Sequence, residues 1–330
     1  MEKGYTASIT GVGSFLPGKV LTNDDFTKML DTTDEWITKR TGIKERRVVE
    51  ENGATASDLA IAASLRALDD ANVLPSEVEL IIAATITPDC LVPSTACFIQ
   101  EKIGAKNAGA FDLLAACSGF VYALSIARSF VASGAMKTVL IVGTECLSKI
   151  TDYTDRSTCI LFGDGAGAVV VQRGNGKKEI VTTYLGSDGS QADLLKLPAG
   201  GSKLPASQAT IESRSHYIQL KGKELFKTAI NNMVDMITKA ATDNNMQVED
   251  FDMIIPHQSN IRIIEAAMER LKQPKKKAYI NIDRYGNTSA ASIPIAIDEI
   301  DKEGLLNPGD SVLLVAFGGG LTWGTSLIKW

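Results

Sequence analysis

The sequence predicts an α/β fold made of two similar halves. Short runs rich in Val, Ile and Leu alternate with longer helical segments, as expected when helices cover a buried sheet. One spacing occurs twice, because Ile81 precedes Val139 by 58 residues and Ile254 precedes Val312 by 58. Between those points each half has a second strand, a short turn and a helix rich in small residues.

The individual elements follow from the apolar runs and their flanking turn residues. Strands are predicted at 78–85, 108–115, 137–144, 167–173, 251–257, 277–283, 310–317 and 325–330. Helices are predicted at 55–72, 118–133, 222–244, 259–272 and 290–303. A Gly- and Lys-containing turn at 174–178 separates the halves, which predicts one domain over 1–174 and a second over 175–330. The loop at 197–208 is linker-like and is expected to be a surface excursion.

Composition excludes several classes of function. The 330 residues carry a net charge of −5, which argues against a cationic nucleic-acid binder. No apolar run reaches the length of a membrane span, and the first thirteen residues lack the pattern of a signal peptide. Five cysteines without a CxxC pair and only two histidines make a zinc site or a disulfide scaffold improbable. We therefore expect a protein of the reducing cytoplasm without a Cys/His zinc site.

Cys117 is the strongest candidate nucleophile. It lies in AACSGF at 115–120, between a predicted strand and a predicted helix. A thiol at a helix N-terminus is close to unpaired amides and the positive end of the helix dipole, which favour a thiolate. The same backbone N–H groups could stabilise a developing oxyanion. The alternative interpretation is a small buried apolar residue.

His257 and Asn287 are candidates because of their positions. His257 ends an apolar strand, where open α/β sheets place their ligands. Asn287 occupies roughly the turn of the second half that Cys117 occupies in the first, so a pseudo-twofold axis would bring the two turns together. A structural imidazole and ordinary Gly-Asn turn chemistry are the competing interpretations.

Glycine clusters and exposed charges provide weaker signals. GDGAG at 163–167 and FGGG at 317–320 are typical of tight turns, although FGGG could aim a backbone amide at an oxyanion. Trp36 and Arg40 lie four residues apart and so share a helical face, where they could hold a planar, phosphate-bearing group. Five positive charges in the segment 270–277 indicate a solvated loop or a docking patch for an acidic partner.

Along nearly its whole length the chain resembles the β-ketoacyl-acyl carrier protein synthase III family, within the thiolase-like superfamily. The resemblance rests on DEWITKRTGIKERR (34–47), AACSGF (115–120), TDRSTCILFGDGAGAVV (154–170), PHQSNIRI (256–263), YGNTSAAS (285–292) and FGGGLTWG (317–324). It implies a five-layered α/β/α/β/α sandwich of two duplicated halves, usually a homodimer. It also implies a catalytic triad of Cys117, His257 and Asn287.

The resemblance implies an acyltransferase of fatty acid biosynthesis that needs no cofactor beyond its thioester substrates. Cys117 takes an acyl group from acyl-coenzyme A, and malonyl-acyl carrier protein then loses carbon dioxide. The resulting enolate attacks the acyl-enzyme and gives 3-oxoacyl-acyl carrier protein. A thiolate suits reversible thioester exchange, and a neutral His and an Asn amide can supply donors to the enolate oxygen. The backbone N–H groups of Cys117 and Gly319 are implied as a second oxyanion hole.

Further roles come from the resemblance alone. It implies coenzyme A contacts at Trp36, Arg40 and Arg156, an acyl pocket at Val92, Leu147 and Phe317, and carrier-protein docking at Lys227, Arg262, Arg270 and Lys272. Val92 matches a position that limits acyl size across the dimer. The family often has Phe there, so Val departs from the pattern.

The residues leave open the primer and the pathway, and a starter-condensing enzyme of a polyketide or quinolone pathway shares the whole scaffold. Elongating condensing enzymes use two histidines, and thiolases carry a second cysteine near the C-terminal glycines. This chain has neither feature, since Asn287 is the third member and no cysteine follows Cys159. A papain-type hydrolase would need a Gln-rich segment near Cys117, and this sequence has none there. A non-enzymatic nucleotide-binding module would rest on the glycine clusters alone.

Overall fold

The computed structural model describes residues 5–330, so the first four residues of the segment inspected for a signal peptide lie outside it. The strands are β1 (Ala7–Phe15), β2 (Lys19–Thr22), β3 (Glu45–Val48), β4 (Leu80–Ala84), β5 (Gly109–Leu113), β6 (Thr138–Cys146), β7 (Asp164–Arg173), β8 (Glu179–Ser187), β9 (Leu195–Lys196), β10 (Gln219–Leu220), β11 (Met253–Pro256), β12 (Ser311–Gly318) and β13 (Thr322–Lys329). The helices are α1 (Asn23–Met29), α2 (Asp34–Thr41), α3 (Ala56–Asp70), α4 (Thr95–Ile103), α5 (Gly119–Ala132), α6 (Gln208–Glu212), α7 (Gly222–Asp243), α8 (Ile261–Arg270), α9 (Ile282–Tyr285) and α10 (Ser292–Glu303).

Local sequence explains where several helices begin. Thr55 and Asp58 form a capping box at the start of α3, since each side chain bonds to the backbone N–H of the other. Asn260 caps α8 by accepting a hydrogen bond from the Arg262 N–H. These caps satisfy amide groups that would otherwise lack partners at a helix N-terminus.

Strand order repeats between the two halves of the main sheet. Its nine strands run β11-β12-β13-β8-β1-β7-β6-β4-β5. In the first half β6 is parallel to β4 and antiparallel to β7, which in turn pairs with β1. In the second half β12 is parallel to β11 and antiparallel to β13, which pairs with β8. The repeated order agrees with duplicated halves, whereas the division into 1–174 and 175–330 stays a prediction.

Three apolar clusters define five layers. Inward-facing residues of both halves, such as Ile82 and Leu314, pack with α5 and α10 in the middle of the molecule. The alternate residues of the first half, such as Ile81, face α3 and α4. Those of the second half, such as Leu313, face α7 and α8. Because side chains alternate along a strand, each sheet region is covered on both faces, and the predicted five-layered α/β/α/β/α sandwich is confirmed.

The structure corrects part of the predicted element map. The strand predicted at 277–283 is wrong, because Ala278 forms only one isolated bridge with Ile254 and a short helix, α9, follows. Buried Asn281 donates its backbone N–H to the Gln258 side chain, so the chain bonds to polar groups instead of a strand. The sequence analysis did not identify β1, β8 or α4. No helix within residues 5–330 has the length and apolar character needed to cross a membrane.

Candidate active site

Cys117 lies in a single helical turn, Ala116–Ser118, directly before α5. Ala116 has φ 46°, a conformation that few residues other than glycine adopt. The turn is held by hydroxyl groups, since Thr322 Oγ1 donates to the Ala115 carbonyl at 2.9 Å and lies 2.7 Å from Ser118 Oγ. Thr322 is a supporting residue that the sequence analysis missed.

Gly318 and Gly319 bring the end of β12 against this turn. A Cβ at Gly318 would lie 2.7 Å from the Cys117 backbone nitrogen, so only glycine allows the approach. The next residue, Gly319, lines the same cavity as Cys117. The FGGG motif therefore serves close packing at Gly318 and exposes backbone to the cavity at Gly319.

His257 follows β11 directly and continues its pairing, because its N–H donates to the Val315 carbonyl at 2.8 Å. The side chain is only 3% exposed, and its Nδ1 lies 2.7 Å from the hydroxyl of Ser292, the first residue of α10. Burial lowers the pKa of His257 to about 3, so the imidazole is neutral at physiological pH. The imidazole does not itself line the cavity, although neighbouring Ser259 and Asn260 do.

The side-chain amide of Asn287 is oriented by its own turn. Its Oδ1 accepts the Ser289 backbone N–H at 2.8 Å, which leaves Nδ2 as the available donor. Backbone bonds with Leu161 and Gly163 fix the residue beside the end of β7. Asn287 lines the cavity together with Cys117.

The two turns meet as the pseudo-repeat predicted, with one refinement. The turn Ser289–Ala291 precedes α10 as Ala116–Ser118 precedes α5, and the two turns are in contact. Ser289 has φ 49° and so matches Ala116. Ala290 therefore occupies the position equivalent to Cys117, and Asn287 lies three residues earlier.

Burial controls the ionisation of Cys117. It raises the pKa of the thiol to about 12, whereas the Ser289 hydroxyl acts in the opposite direction. This direction favours a resting thiol over the thiolate that the helix terminus was expected to favour. Desolvation is the largest cause of the shift, so loss of the proton is coupled to the reaction.

A cavity of about 1620 Å³ leads to Cys117. Near its mouth, Arg40 and Arg156 each lie 4.8 Å from the centre of the Trp36 ring, and all three residues line the cavity. Two cations against one indole form a site for a planar, anionic group. The structure therefore brings together the three residues implied in coenzyme A binding.

The residues implied for the acyl pocket are dispersed. Leu147 is fully buried and lines the cavity. Phe317 is absent from the lining and packs instead in the cluster with α7 and α8. Val92 is 85% exposed and also lies outside the lining. Within a single chain, the structure thus brings only Leu147 to the cavity.

The four residues implied for docking are exposed on or next to α7 and α8. Arg262 lies at the cavity, 5.2 Å from the centre of the Phe226 ring. Arg270 is two turns further along α8 and donates to Asn231 at 2.6 Å. The basic residues therefore extend from the cavity mouth along one helix pair.

The loop at 197–208 is not a simple surface excursion. Leu197, Ala199, Gly200 and Gly201 line the cavity, as does His216 a little further along the chain. Small and apolar side chains without periodicity gave no sequence signal for this role. Within residues 5–330, no three His, Cys, Asp or Glu side chains group as metal ligands.

Comparisons with known proteins agree with this geometry. Residues 111–189 match the family model described as 3-oxoacyl-[acyl-carrier-protein (ACP)] synthase III, and residues 241–330 match the model of its C-terminal part. A β-ketoacyl-[acyl-carrier-protein] synthase III of Caldanaerobacter subterraneus subsp. tengcongensis is 54% identical, covering 100% of this chain and 99% of its own.

Solved structures are similar over the same length. The 3-oxoacyl-[acyl-carrier-protein] synthase III of Aquifex aeolicus VF5 has a TM-score of 0.90 and 48% identity, covering 98% of this chain and 100% of its own. The priming β-ketosynthase of the R1128 polyketide pathway has a TM-score of 0.91 and 34% identity, covering 100% and 97%. On these matches, the chain belongs to the β-ketoacyl-[acyl-carrier-protein] synthase III family.

Proposed function

We propose that the protein condenses an acyl-coenzyme A primer with malonyl-acyl carrier protein, releases carbon dioxide and coenzyme A, and so initiates fatty acid synthesis. The observation that carries this proposal is the meeting of two helix-initiating turns at one large cavity. One turn presents the Cys117 thiol and the other orients the Asn287 amide. Family membership supports the same reaction.

In the first half-reaction Cys117 attacks the thioester carbonyl of the primer. A sulfur nucleophile is suited to this exchange, because it both attacks and later leaves readily. The backbone N–H groups of Cys117 and Gly319 are the donors for the oxyanion, which is supported by the contact of the Gly318 backbone with the Cys117 turn. Trp36, Arg40 and Arg156 bind the nucleotide end of coenzyme A, and Leu147 contacts the acyl chain.

In the second half-reaction the malonyl thioester loses carbon dioxide. The negative charge that develops on its thioester oxygen needs donors and no strong base. Asn287 Nδ2 supplies one donor from the cavity lining. A neutral His257, whose neighbours Ser259 and Asn260 line the cavity, supplies Nε2–H as the other. Ser292 supports this tautomer, because its Oγ lies 2.7 Å from Nδ1 and its hydroxyl proton can be donated there. The enolate carbon then attacks the acyl-Cys117 carbonyl and Cys117 leaves.

The protein is proposed to act as a homodimer through the edge strand β5, which within residues 5–330 pairs only with β4. Leu91, Val92 and Leu114 near this edge are 81%, 85% and 79% exposed. Such large exposed apolar side chains are typical of an interface, and an unpaired edge can continue a sheet into a second copy. Across this interface Val92 limits the partner's acyl pocket. Light scattering should give a dimer that Val92→Glu weakens, whereas Leu74→Glu, another exposed leucine, leaves it intact.

Phe317 remains a proposed acyl-pocket residue, supported only by the family resemblance. Lys227, Arg262, Arg270 and Lys272 are the proposed docking surface for the acidic carrier protein, supported by their exposure on one helix pair. A domain boundary at 174/175 is supported by the repeated strand order. A cytoplasmic location is supported by five cysteines that are all unpaired.

The decisive experiment is intact-protein mass spectrometry after incubation with acetyl-, isobutyryl-, isovaleryl-, hexanoyl- or octanoyl-coenzyme A. We expect one acyl group per chain, lost in Cys117→Ala and retained in Cys90→Ser, since Cys90 is an exposed thiol in the same cavity. Addition of malonyl-acyl carrier protein should then release 3-oxoacyl-acyl carrier protein. A well-folded protein that accepts no acyl group would contradict the proposal. Nucleotide binding without catalysis would then be the remaining interpretation.

The similarity to a priming β-ketosynthase of a polyketide pathway favours one alternative. A starter-condensing enzyme would use the same Cys117 chemistry on a different primer. Preference for acetyl or short branched primers in the acylation panel supports fatty acid initiation. Preference for hexanoyl or octanoyl primers supports the specialised pathway.

A further inference from the structure

A buried carboxyl group close to Cys117 has no role in the mechanism above. Glu145 lies near the end of β6 and is fully buried. Its oxygens accept hydrogen bonds from Thr87 Oγ1 at 2.8 Å and from the Ile86 N–H at 3.1 Å. No cation within residues 5–330 forms an ion pair with it, and a buried carboxylate without a cation is costly. Such groups occur most often where chemistry requires them.

Ser289 connects this carboxyl group to the nucleophile. Ser289 begins the turn that contacts both the Cys117 turn and β6, the strand that carries Glu145. Its hydroxyl lowers the pKa of both groups. The side chain is 1% exposed, yet Oγ meets hydrogen-bond geometry with neither neighbour at rest. A buried hydroxyl without a settled partner is unusual.

The repeat shows that packing alone does not call for a carboxyl group at this position. In register, Leu140 of β6 pairs with Ile81, and Leu313 of β12 pairs with Ile254. Position 145 in β6 therefore corresponds to Gly318 in β12. Each of these strands touches the helix-initiating turn of the opposite half. A glycine meets the Cys117 turn, whereas Glu145 brings a carboxyl group to the Ser289 turn.

The alternative proton acceptor, His257, is less suited to the task. Burial lowers the pKa of His257 to about 3, whereas burial raises that of Glu145 to about 7. A proton on Glu145 is therefore favoured over one on His257. The ionisable groups that interact with Glu145 are the thiols of Cys117 and Cys146. Asp164, Lys149 and Asp89 act in turn on Cys146, and Lys149 also acts on Asp164.

We propose that Glu145 stores the Cys117 proton while the enzyme is acylated, with the Ser289 hydroxyl as the bridge. The proposal rests on the acyl-Cys117 mechanism above. Glu145 touches no substrate and acts through Ser289, so it is a positioning residue.

The proton balance closes over one turnover. During acylation the Cys117 proton passes to Ser289 Oγ as the Ser289 proton passes to the Glu145 carboxylate. The thiolate forms the new C–S bond, the C–S bond to coenzyme A breaks, and the coenzyme A thiolate takes a proton from solvent. During condensation the acyl-Cys117 bond breaks as the C–C bond forms, and Cys117 recovers its proton from Glu145 through Ser289.

The test separates acylation from decarboxylation. Single-turnover acylation by acetyl-coenzyme A and uncoupled decarboxylation of malonyl-acyl carrier protein are measured in wild type, Glu145→Gln and Ser289→Ala. Loss of a proton acceptor should slow acylation by about 10²-fold in both variants and change decarboxylation by less than about threefold. Ser64→Ala is the matched control, because Ser64 is likewise a buried serine with an unpartnered hydroxyl.

The pH dependence provides a readout that a structural role would not change. Wild-type acylation should be slow below the Glu145 pKa of about 7 and reach a plateau above it, because the carboxylate is the accepting form. Glu145→Gln should lose this inflection and show a rate that continues to rise towards the pKa of the thiol. In a double variant the losses should not add, since one pathway is interrupted twice.

Three outcomes would overturn the proton-storage role. They are acylation at the wild-type rate in either single variant, equal loss of rate in the two half-reactions, and additive loss of acylation rate in the double variant. If Glu145→Gln fails to fold, Ser289→Ala decides the question by the same measurements. Failure of the proposed function is distinguishable, because wild-type protein itself would then accept no acyl group.

Discussion

The turn before α5 and the turn before α10 have similar backbones and different chemistry. Ala116 and Ser289 have φ values of 46° and 49°, and each begins a helical turn that leads into a central helix. Cys117 occupies the next position in the first half, and Ala290 occupies it in the second. The two halves thus present equivalent turn positions, of which the first carries the candidate nucleophile Cys117 and the second carries Ala290.

The strands beneath these turns show the same division of roles. Gly318 allows β12 to approach the Cys117 backbone, and Gly143 allows β6 to approach the Ala290 carbonyl. Two residues after Gly143, β6 carries Glu145, where β12 has Gly318. Both halves therefore use a glycine for the close approach, although at positions that do not correspond, and only the first half has a carboxyl group at the position equivalent to Gly318.

Transfer of the thiol between the equivalent positions should have the largest effect. Cys117→Ala should reduce acylation by about 10³-fold or more. Adding Ala290→Cys to that variant should not restore it, because residue 290 is 1% exposed and lies outside the cavity lining. Intact mass after exposure to acetyl-coenzyme A measures both variants. Recovery of an acyl adduct on residue 290 would show that the two turns are functionally interchangeable.

Removal of the hydrogen-bond donors Asn287 and His257 should slow one half-reaction much more than the other. Asn287→Ala and His257→Ala should each lower malonyl decarboxylation by about 10²–10³-fold, since each removes one donor to a developing oxyanion. Acylation of Cys117 should fall by less than about tenfold. Release of carbon dioxide and acyl-enzyme mass are measured on the same samples. Equal losses in both half-reactions would argue that the two turns act as one unit.

An added methyl group beneath each turn should have a smaller effect than the loss of a donor. The two variants should differ in which half-reaction they slow more. Gly318→Ala places a Cβ 2.7 Å from the Cys117 nitrogen, and Gly143→Ala places one against the Ala290 carbonyl. Each should reduce the free energy of unfolding by about 1–3 kcal/mol through overpacking. The first should slow acylation more, and the second should slow decarboxylation more. Thermal unfolding and the two partial reactions test this, and identical kinetic effects would contradict it.

Loss of the hydroxyl that clamps the first turn should have the smallest effect. Thr322→Val removes the hydrogen bond to the Ala115 carbonyl and should lower the free energy of unfolding by about 1 kcal/mol. Acylation should slow severalfold while decarboxylation is unchanged, which chemical denaturation and single-turnover kinetics can measure. A variant with wild-type acylation would show that Gly318 contacts alone hold the turn.

Much of the fold could be predicted because its signals are local. The runs that became β4, β6, β7, β11 and β12 each contain an uninterrupted apolar stretch, as strands buried on both faces should. β1 and β8 escaped prediction because Gly, Ser and Thr dilute their apolar character. The prediction of a strand at 277–283 failed because the buried Asn281 N–H donates to the Gln258 side chain and not to a neighbouring strand.

The candidate site could be predicted where residue type and turn position carry the signal, as for Cys117 and Asn287. The spacing of Trp36 and Arg40 predicts that they share a helical face. Only the family resemblance predicted that Arg156 lies at the same indole. Ser289, Glu145 and Thr322 could not be found from sequence. Their neighbours come from the other half of the chain, and single Ser, Thr or Glu residues carry no pattern of their own.

The sequence by itself determined the layered α/β architecture, the repeat and the candidate nucleophile, because periodicity, turn chemistry and residue type are local properties. Only the tertiary structure decided the ionisation of Cys117 and the meeting of the Ser289 turn with β6, which carries Glu145. Those properties depend on burial and on contacts between residues more than one hundred positions apart. Desolvation and hydrogen-bond geometry arise only when the two halves pack together.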